Sequence, residues 1–320
     1  MFTIGIDFGG TNIAVGLVDE SMTVVDKLSM KTNVPRSIES MVDDMALMVK
    51  TLQERNGLQD GEIRYVGVGV PCTANEDNGH MEDADNLGFA DVEFVSLLQT
   101  RIGFPVYIGN DANVAAWGEY LTGGYDGDSL VMITLGTGIG GGIILGGHLW
   151  KGVNYSAGEF GHMVIYGDGI PCNCGRRGCF EAYGSATALI QQAKARMLQD
   201  EKTVLWQLCG NELKKVEAKF VFDGVKANDP ACIELLDTYT TYLADGIVNI
   251  INIFQPAYIC IGGGVSSAGD MLLDPVRAKV SARIYSRNAK KNTEIVLAKL
   301  KNDAGIIGAA LLGNDREEKI

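Results

Sequence analysis

Ile4-Gly-Ile-Asp7-Phe-Gly9-Gly10-Thr11-Asn12-Ile-Ala-Val-Gly-Leu-Val18 reads as two strands joined by a tight turn. Apolar residues alternate with small ones on either side of Gly9-Gly10-Thr11-Asn12, the pattern of a hairpin closed by glycine. The same pattern returns at Met132-Ile-Thr-Leu135-Gly136-Thr137-Gly138-Ile139-Gly-Gly-Gly-Ile-Ile144. A strand, glycine turn and strand used twice predicts two related halves around a cleft, the first ending near residue 115. Outward from the first hairpin, strands are expected over residues 23–32, 65–70 and 106–109, and helices over 36–55, 92–101 and 111–121. Residues 74–91 are polar and acidic and read as a loop. In the second half, helices are expected over 186–198, 212–225, 230–254 and 304–312, with strands over 257–261 and 294–297. A further helix is expected to run from Gly262-Gly263-Gly264 to about residue 284. Strands alternating with helices make the class α/β.

The bulk numbers agree with this picture. At 320 residues the chain can hold two domains of ordinary size, and 46% hydrophobic content supplies a full core. A net charge of −13 argues against a nucleic-acid surface, which needs a basic patch. No secretory signal opens the sequence, because Asp7 comes too soon and no basic start precedes it. With seven cysteines, four of them scattered, the expectation is a reduced, cytoplasmic protein. Residues 129–150 carry no charged side chain, long enough to raise the question of a membrane span. Seven glycines break that stretch, which fits two strands and a turn better.

Both glycine turns offer bare backbone N–H groups and a hydroxyl, a chemistry that suits the oxygens of a polyphosphate. Bends in an ordinary sheet are the alternative. Gly136-x-Gly138-x-x-Gly141 matches the dinucleotide fingerprint as a string, but the fingerprint needs a helix at the turn and here a strand is expected. A Walker-type Gly-Lys-Ser/Thr is absent. Gly262-Gly263-Gly264 lies between a strand and a helix, where a helix N-terminus could help hold a nucleotide. Asp111 follows a strand and opens a helix, so it is either a base at the C-terminal end of a strand or a helix N-cap; Asn110 has the same ambiguity. Finally, His162, Cys172, Cys174 and Cys179 fall within eighteen residues. Cys3His is a closed, four-coordinate zinc set with no open position, so the metal is read as structural. Gly175 and Gly178 let the chain turn tightly enough for the cysteines to converge. The knuckle would pin Glu159 and Glu181, whose carboxylates could accept hydrogen bonds from a polyol. The alternative is a pair of surface acids beside an ordinary zinc knuckle.

Taken together, these residues resemble the ROK family of sugar kinases and sugar-responsive repressors, within the actin-like/sugar kinase (ribonuclease H-like) fold. The resemblance rests on Asp7-x-Gly9-Gly10-Thr11-Asn12, Asn110-Asp111-Ala112-Asn113, Leu135-Gly-Thr-Gly-Ile-Gly-Gly-Gly, Gly158-Glu159-x-Gly161-His162 and Cys172-x-Cys174-Gly-x-x-Gly-Cys179-x-Glu181. It implies a small domain over residues 1–115, to which a C-terminal helix over 303–313 returns, and a large domain over 116–302 carrying the zinc site. Asp111 would be the base for a sugar 6-hydroxyl. Asn86, Asn110, Glu159, His162 and Glu181 would hold sugar hydroxyls, Asn86 on a looser match. His162 would also ligate zinc with Cys172, Cys174 and Cys179. Asp7 would stand near the magnesium of ATP. Gly9, Gly10, Thr11, Asn12, Thr137 and Gly138 would hold phosphates, and Gly262, Gly263 and Gly264 would lie near the nucleoside. Cys72 departs from the family, which usually has glycine there. Repressors of the family carry a DNA-reading head before the first motif, and Asp7 leaves no room for one. The implied activity is phosphorylation of glucose to glucose 6-phosphate, feeding glycolysis, by a cytoplasmic homodimer. Fructose, mannose, allose, N-acetylmannosamine or N-acetylglucosamine are alternative substrates, polyphosphate is an alternative donor, and a sugar-sensing protein without turnover is an alternative role.

Overall fold

The computed structural model describes residues 1–82, 84 and 87–313. Its elements fall into two compact units. The first begins with β1 (Phe2–Phe8), β2 (Asn12–Val18), β3 (Val24–Lys31), α1 (Ile38–Arg55) and β4 (Ile63–Val70). It continues with β5 (Thr73–Asn75), β6 (His80–Glu82), α2 (Phe94–Ile102), β7 (Val106–Asn110) and α3 (Asp111–Thr122). The strands form a sheet in the order β3-β2-β1-β4-β7, antiparallel from β3 to β1 and parallel from β1 to β7.

Alternation along these strands explains the packing. Ile4, Ile6 and Phe8 of β1 and Val66, Val68 and Val70 of β4 are buried together with the apolar faces of α1 and α2. Each such side chain contributes about 1.5–3 kcal/mol when fully buried. The glycines between them face the other way, against a helix from the far end of the chain. A Cβ on Gly5 or Gly67 would collide with the carbonyls of Ile306 or Ala309. That helix, given below as α10, can lie on the strands only because those positions carry no side chain.

The second unit contains β8 (Leu130–Leu135) and the start of β9 (Ile139–Leu145). Its helices and strands are α4 (Glu181–Gly184), α5 (Ala186–Gln199), α6 (Leu205–Leu208), α7 (Ala218–Lys226), α8 (Pro230–Phe254), β11 (Tyr258–Gly262), α9 (Asp270–Arg283) and β12 (Glu294–Leu297). With β10 (His148–Leu149) the sheet order is β10-β9-β8-β11-β12, β11 running parallel to β8 and β12. This repeats the succession of the first sheet: an outer strand, a hairpin, then parallel strands. The fingerprint at Gly136 therefore runs into a strand, not a helix. Among the described residues no helix is long and apolar enough to cross a membrane; residues 129–150 are largely β8, β9 and β10.

Several expectations are corrected. A boundary near residue 115 would cut α3; the compact unit runs on to Asp128, takes in Gly142–Gly158, and resumes at Lys299 with α10 (Ala304–Ala310). Residues 74–91 are not all loop, since β5 and β6 pair there. The helix expected over 212–225 is a 3-10 turn (Leu213–Lys215) followed by α7, separated by the extended backbone of Val216 and Glu217. Val216 is buried, and extending the chain there turns it inward. The helix expected from Gly264 is a 3-10 stretch (Gly264–Ala268) and then α9, broken at Gly269, whose φ of +64° no helix adopts.

Candidate active site

In the first unit the β1–β2 turn is closed by the Gly9 N–H donating to the Asn12 carbonyl at 2.9 Å. Thr32, fully buried and just past the end of β3, braces it. Its hydroxyl donates to the Gly9 carbonyl at 2.7 Å and its N–H to the Thr11 carbonyl at 2.9 Å. Gly10, Thr11 and Asn12 remain exposed at the tip. Asp7 precedes the turn, and a Cβ on Gly305 would come within 2.7 Å of its Cγ. Burial raises the Asp7 carboxyl above the ordinary carboxylate range. A cation placed beside it would favour the ionised form instead.

The ambiguity at the start of α3 is resolved by Asn110. Its Oδ1 accepts the N–H groups of Ala112 at 3.0 Å and Asn113 at 3.2 Å, so Asn110 is the N-cap. Asp111 is the first helical residue, half-buried, with Oδ1 2.7 Å from the Ala112 N–H. The amide of Asn110 also donates to the Cys72 carbonyl at 3.2 Å. Cys72 itself buries its side chain in the core cluster beneath the sheet. The departure from glycine therefore fills core volume and leaves the carbonyl to orient Asn110. Beyond Cys72, Thr73 bonds Ser156 at 2.9 Å and Lys151 pairs with Glu76 at 2.8 Å, tying the β5–β6 hairpin to residues 151–156. Asn86 lies outside the described residues.

The second unit brings together the other predicted groups. Gly136 N–H donates to the Gly138 carbonyl at 3.0 Å, closing the β8–β9 turn with Thr137 exposed at its tip. Glu181 Oε2 accepts the Ile139 N–H at 2.9 Å, and a Cβ at Gly138 would come within 2.2 Å of this carboxylate and displace it. Glu159 lies within electrostatic reach of both His162 and Glu181. Desolvation raises its carboxyl above the usual range, His162 opposes that shift, and the like charge of Glu181 adds to it.

His162, Cys172, Cys174 and Cys179 offer ligand atoms that all lie within 4.8 Å of one another. His162 Nδ1 is 3.7 Å from Cys172 Sγ, and Cys174 Sγ is 3.7 Å from Cys179 Sγ. Zinc bonds of about 2.0–2.3 Å in a tetrahedron put neighbouring ligand atoms about 3.6–3.8 Å apart, so the set fits a zinc ion. With Nδ1 on the cysteine side, Nε2 is the imidazole nitrogen left for another partner.

A cavity of about 330 Å³ lies between α7 and the Gly264 turn, lined by Ala186, Glu217, Phe222, Asp223, Gly264 and Ser267 among others. Gly263, with φ +81°, presses on the backbone of Leu135. The α7 side of this cavity, Thr32 and Thr187 went unread in the sequence. None lies in a motif, and only the tertiary contacts bring them to the turns.

Compared with known proteins, residues 3–316 match the ROK family. The chain belongs to the ROK family. It is 35% identical over 317 residues to a glucokinase of Streptomyces coelicolor, covering 98% of each. It superposes with a TM-score of 0.85 on a ROK family glucokinase from Streptomyces griseus in complex with glucose and AMPPNP, at 33% identity over 98% of this chain and 99% of that one. It is also 28% identical to the xylose repressor of Bacillus subtilis, covering 96% of this chain and 75% of the repressor. As a ROK protein it has the actin-like sugar kinase fold, with the hairpin unit duplicated as described.

Proposed function

We propose that this ROK protein is an ATP-dependent hexose kinase that converts glucose to glucose 6-phosphate. The observation that carries the reading is its full-length similarity to glucokinases, together with Asp111 kept at the first turn of α3 and a separate residue serving as cap. In this mechanism Asp111 accepts the proton of the 6-hydroxyl as that oxygen attacks the γ-phosphorus. The bond from the γ-phosphorus to the β–γ bridging oxygen breaks, and ADP leaves. Such a base mainly orients the nucleophile. Asn110, Glu159, His162 through Nε2, and Glu181 hold the remaining hydroxyls. The two glycine turns, with Thr11 and Thr137, bind phosphates, and the cavity beside Gly264 takes the nucleoside. Magnesium bound with ATP neutralises charge on the phosphates, and Asp7 is the acid proposed to face it. Zinc on the Cys3His set is structural.

The test is ADP release with magnesium-ATP across glucose, fructose, mannose, allose, N-acetylmannosamine and N-acetylglucosamine, with polyphosphate as a second donor. Glucose leading in kcat/KM supports the proposal. Another sugar leading keeps the kinase and changes the substrate. The xylose repressor similarity favours one rival, a sugar-binding regulator, and sugar binding without any ADP release would establish that instead.

A further inference from the structure

Residues 181–187, immediately after the last cysteine of the knuckle, hold the second glycine turn from outside. The turn has one internal hydrogen bond, from Gly136 to Gly138. Three more tie it to this segment. Glu181 Oε2 accepts the Ile139 N–H at 2.9 Å, the Ala186 N–H donates to the Gly136 carbonyl at 2.8 Å, and Thr187 Oγ1 donates to the Thr137 carbonyl at 2.7 Å. Ala186 also lines the cavity beside Gly264. The start of α5 does not depend on Thr187, because Ser185 caps it by accepting the Ala188 N–H at 3.0 Å. The Thr187 hydroxyl therefore serves the turn and not its own helix.

We propose that Thr187 is a positioning residue for the phosphate turn and that, with Glu181, it links the sugar-side carboxylates to that turn. Thr187 acts through the backbone: it fixes the carbonyl of Thr137 and so aims the N–H groups of the tip. Glu181, one of the carboxylates proposed for the sugar, holds the Ile139 N–H through Oε2. The inference rests on reading this turn as a phosphate site.

The variant Thr187→Val keeps the shape and removes the donor. Calorimetry with magnesium-AMPPNP should show a Kd raised about 3- to 10-fold, the loss expected for one neutral hydrogen bond, while the Kd for glucose stays within about twofold. Thr187→Ser should restore the wild-type value, which a merely structural role for the side chain's bulk would not. Glu181→Gln should weaken both ligands. Hydrogen exchange at the amides of residues 137–139 should speed up in Thr187→Val without ligand. AMPPNP binding unchanged in Thr187→Val overturns the inference. If wild type binds no AMPPNP, the phosphate reading itself falls, and the exchange rates still decide whether the clamp exists.

Discussion

At the scale of single residues, two hydrogen bonds at the start of α3 decide which of two adjacent residues is the cap. Asn110 and Asp111 are adjacent, both suit a helix start, and either could have been the cap. The structure gives the cap to Asn110. Asp111→Asn should cut turnover by about 10²–10⁴, the usual contribution of a positioned base, with glucose affinity by calorimetry changed little; near-normal turnover would sink the mechanism. Asp7 yields a pH prediction. Burial raises its folded pKa above the unfolded 3.8. The folded state then holds the proton more tightly, so the stabilisation is full below the unfolded pKa and is lost as pH rises through the folded one. At neutral pH the ionised group is a cost in the ligand-free protein. Asp7→Asn should raise Tm at about pH 7 and change it little near pH 3, while impairing ATP turnover. A lower Tm for the variant at neutral pH would contradict this.

At the scale of elements, α10 and the zinc knuckle carry the predictions. The helix α10 crosses α3 with Gly308 against the backbone of Val114 and Gly118. Gly308→Val should destabilise the protein by about 1–3 kcal/mol or more, the usual cost of overpacking, measurable by denaturant unfolding. On the proposed reading the knuckle pins Glu159 and Glu181, which alone would make sugar binding the main casualty of zinc removal. Because residues 181–187 also hold the β8–β9 turn, Cys174→Ser should weaken AMPPNP as well, though less than glucose. Unchanged AMPPNP affinity would mean the turn keeps its shape without the metal. Element boundaries were legible where period and caps agreed, as for α8, which starts at the Asp229 cap with Pro230 and ends before Pro256. They were not legible over residues 212–225 and 264–284, where helical spacing persists through a backbone break that only local φ and ψ reveal.

At the scale of the molecule, the first unit is assembled from three separate stretches of chain. Glu119, fully buried in α3, marks where the last stretch enters. Its carboxylate accepts from the Tyr125 hydroxyl at 2.6 Å and from the N–H groups of Lys299 at 2.7 Å and Leu300 at 3.0 Å. A fragment ending at residue 298 would strand that buried acid without two donors and leave the glycine faces of β1 and β4 uncovered. Such a fragment should lose cooperative unfolding of the first unit by calorimetry. Native-like unfolding of it would show that α10 is an accessory and not part of the core.

The duplicated hairpin, the α/β class and the convergence of one histidine and three cysteines followed from the sequence alone. Each depends on local spacing: alternation with period two, glycine at the turn, ligands within one short loop. The helix over 304–312 was legible, and its return to the first domain was implied by the resemblance, but its seating on the glycine face of the first sheet was not, because Gly5 and Gly67 meet Ile306 and Ala309 only across the whole length of the chain. Nor were the partners of the catalytic candidates: the Cys72 carbonyl on Asn110, Thr32 on the first turn, Thr187 on the second. Those are single hydrogen bonds between residues far apart in sequence, and only the folded backbone brings donor and acceptor within reach.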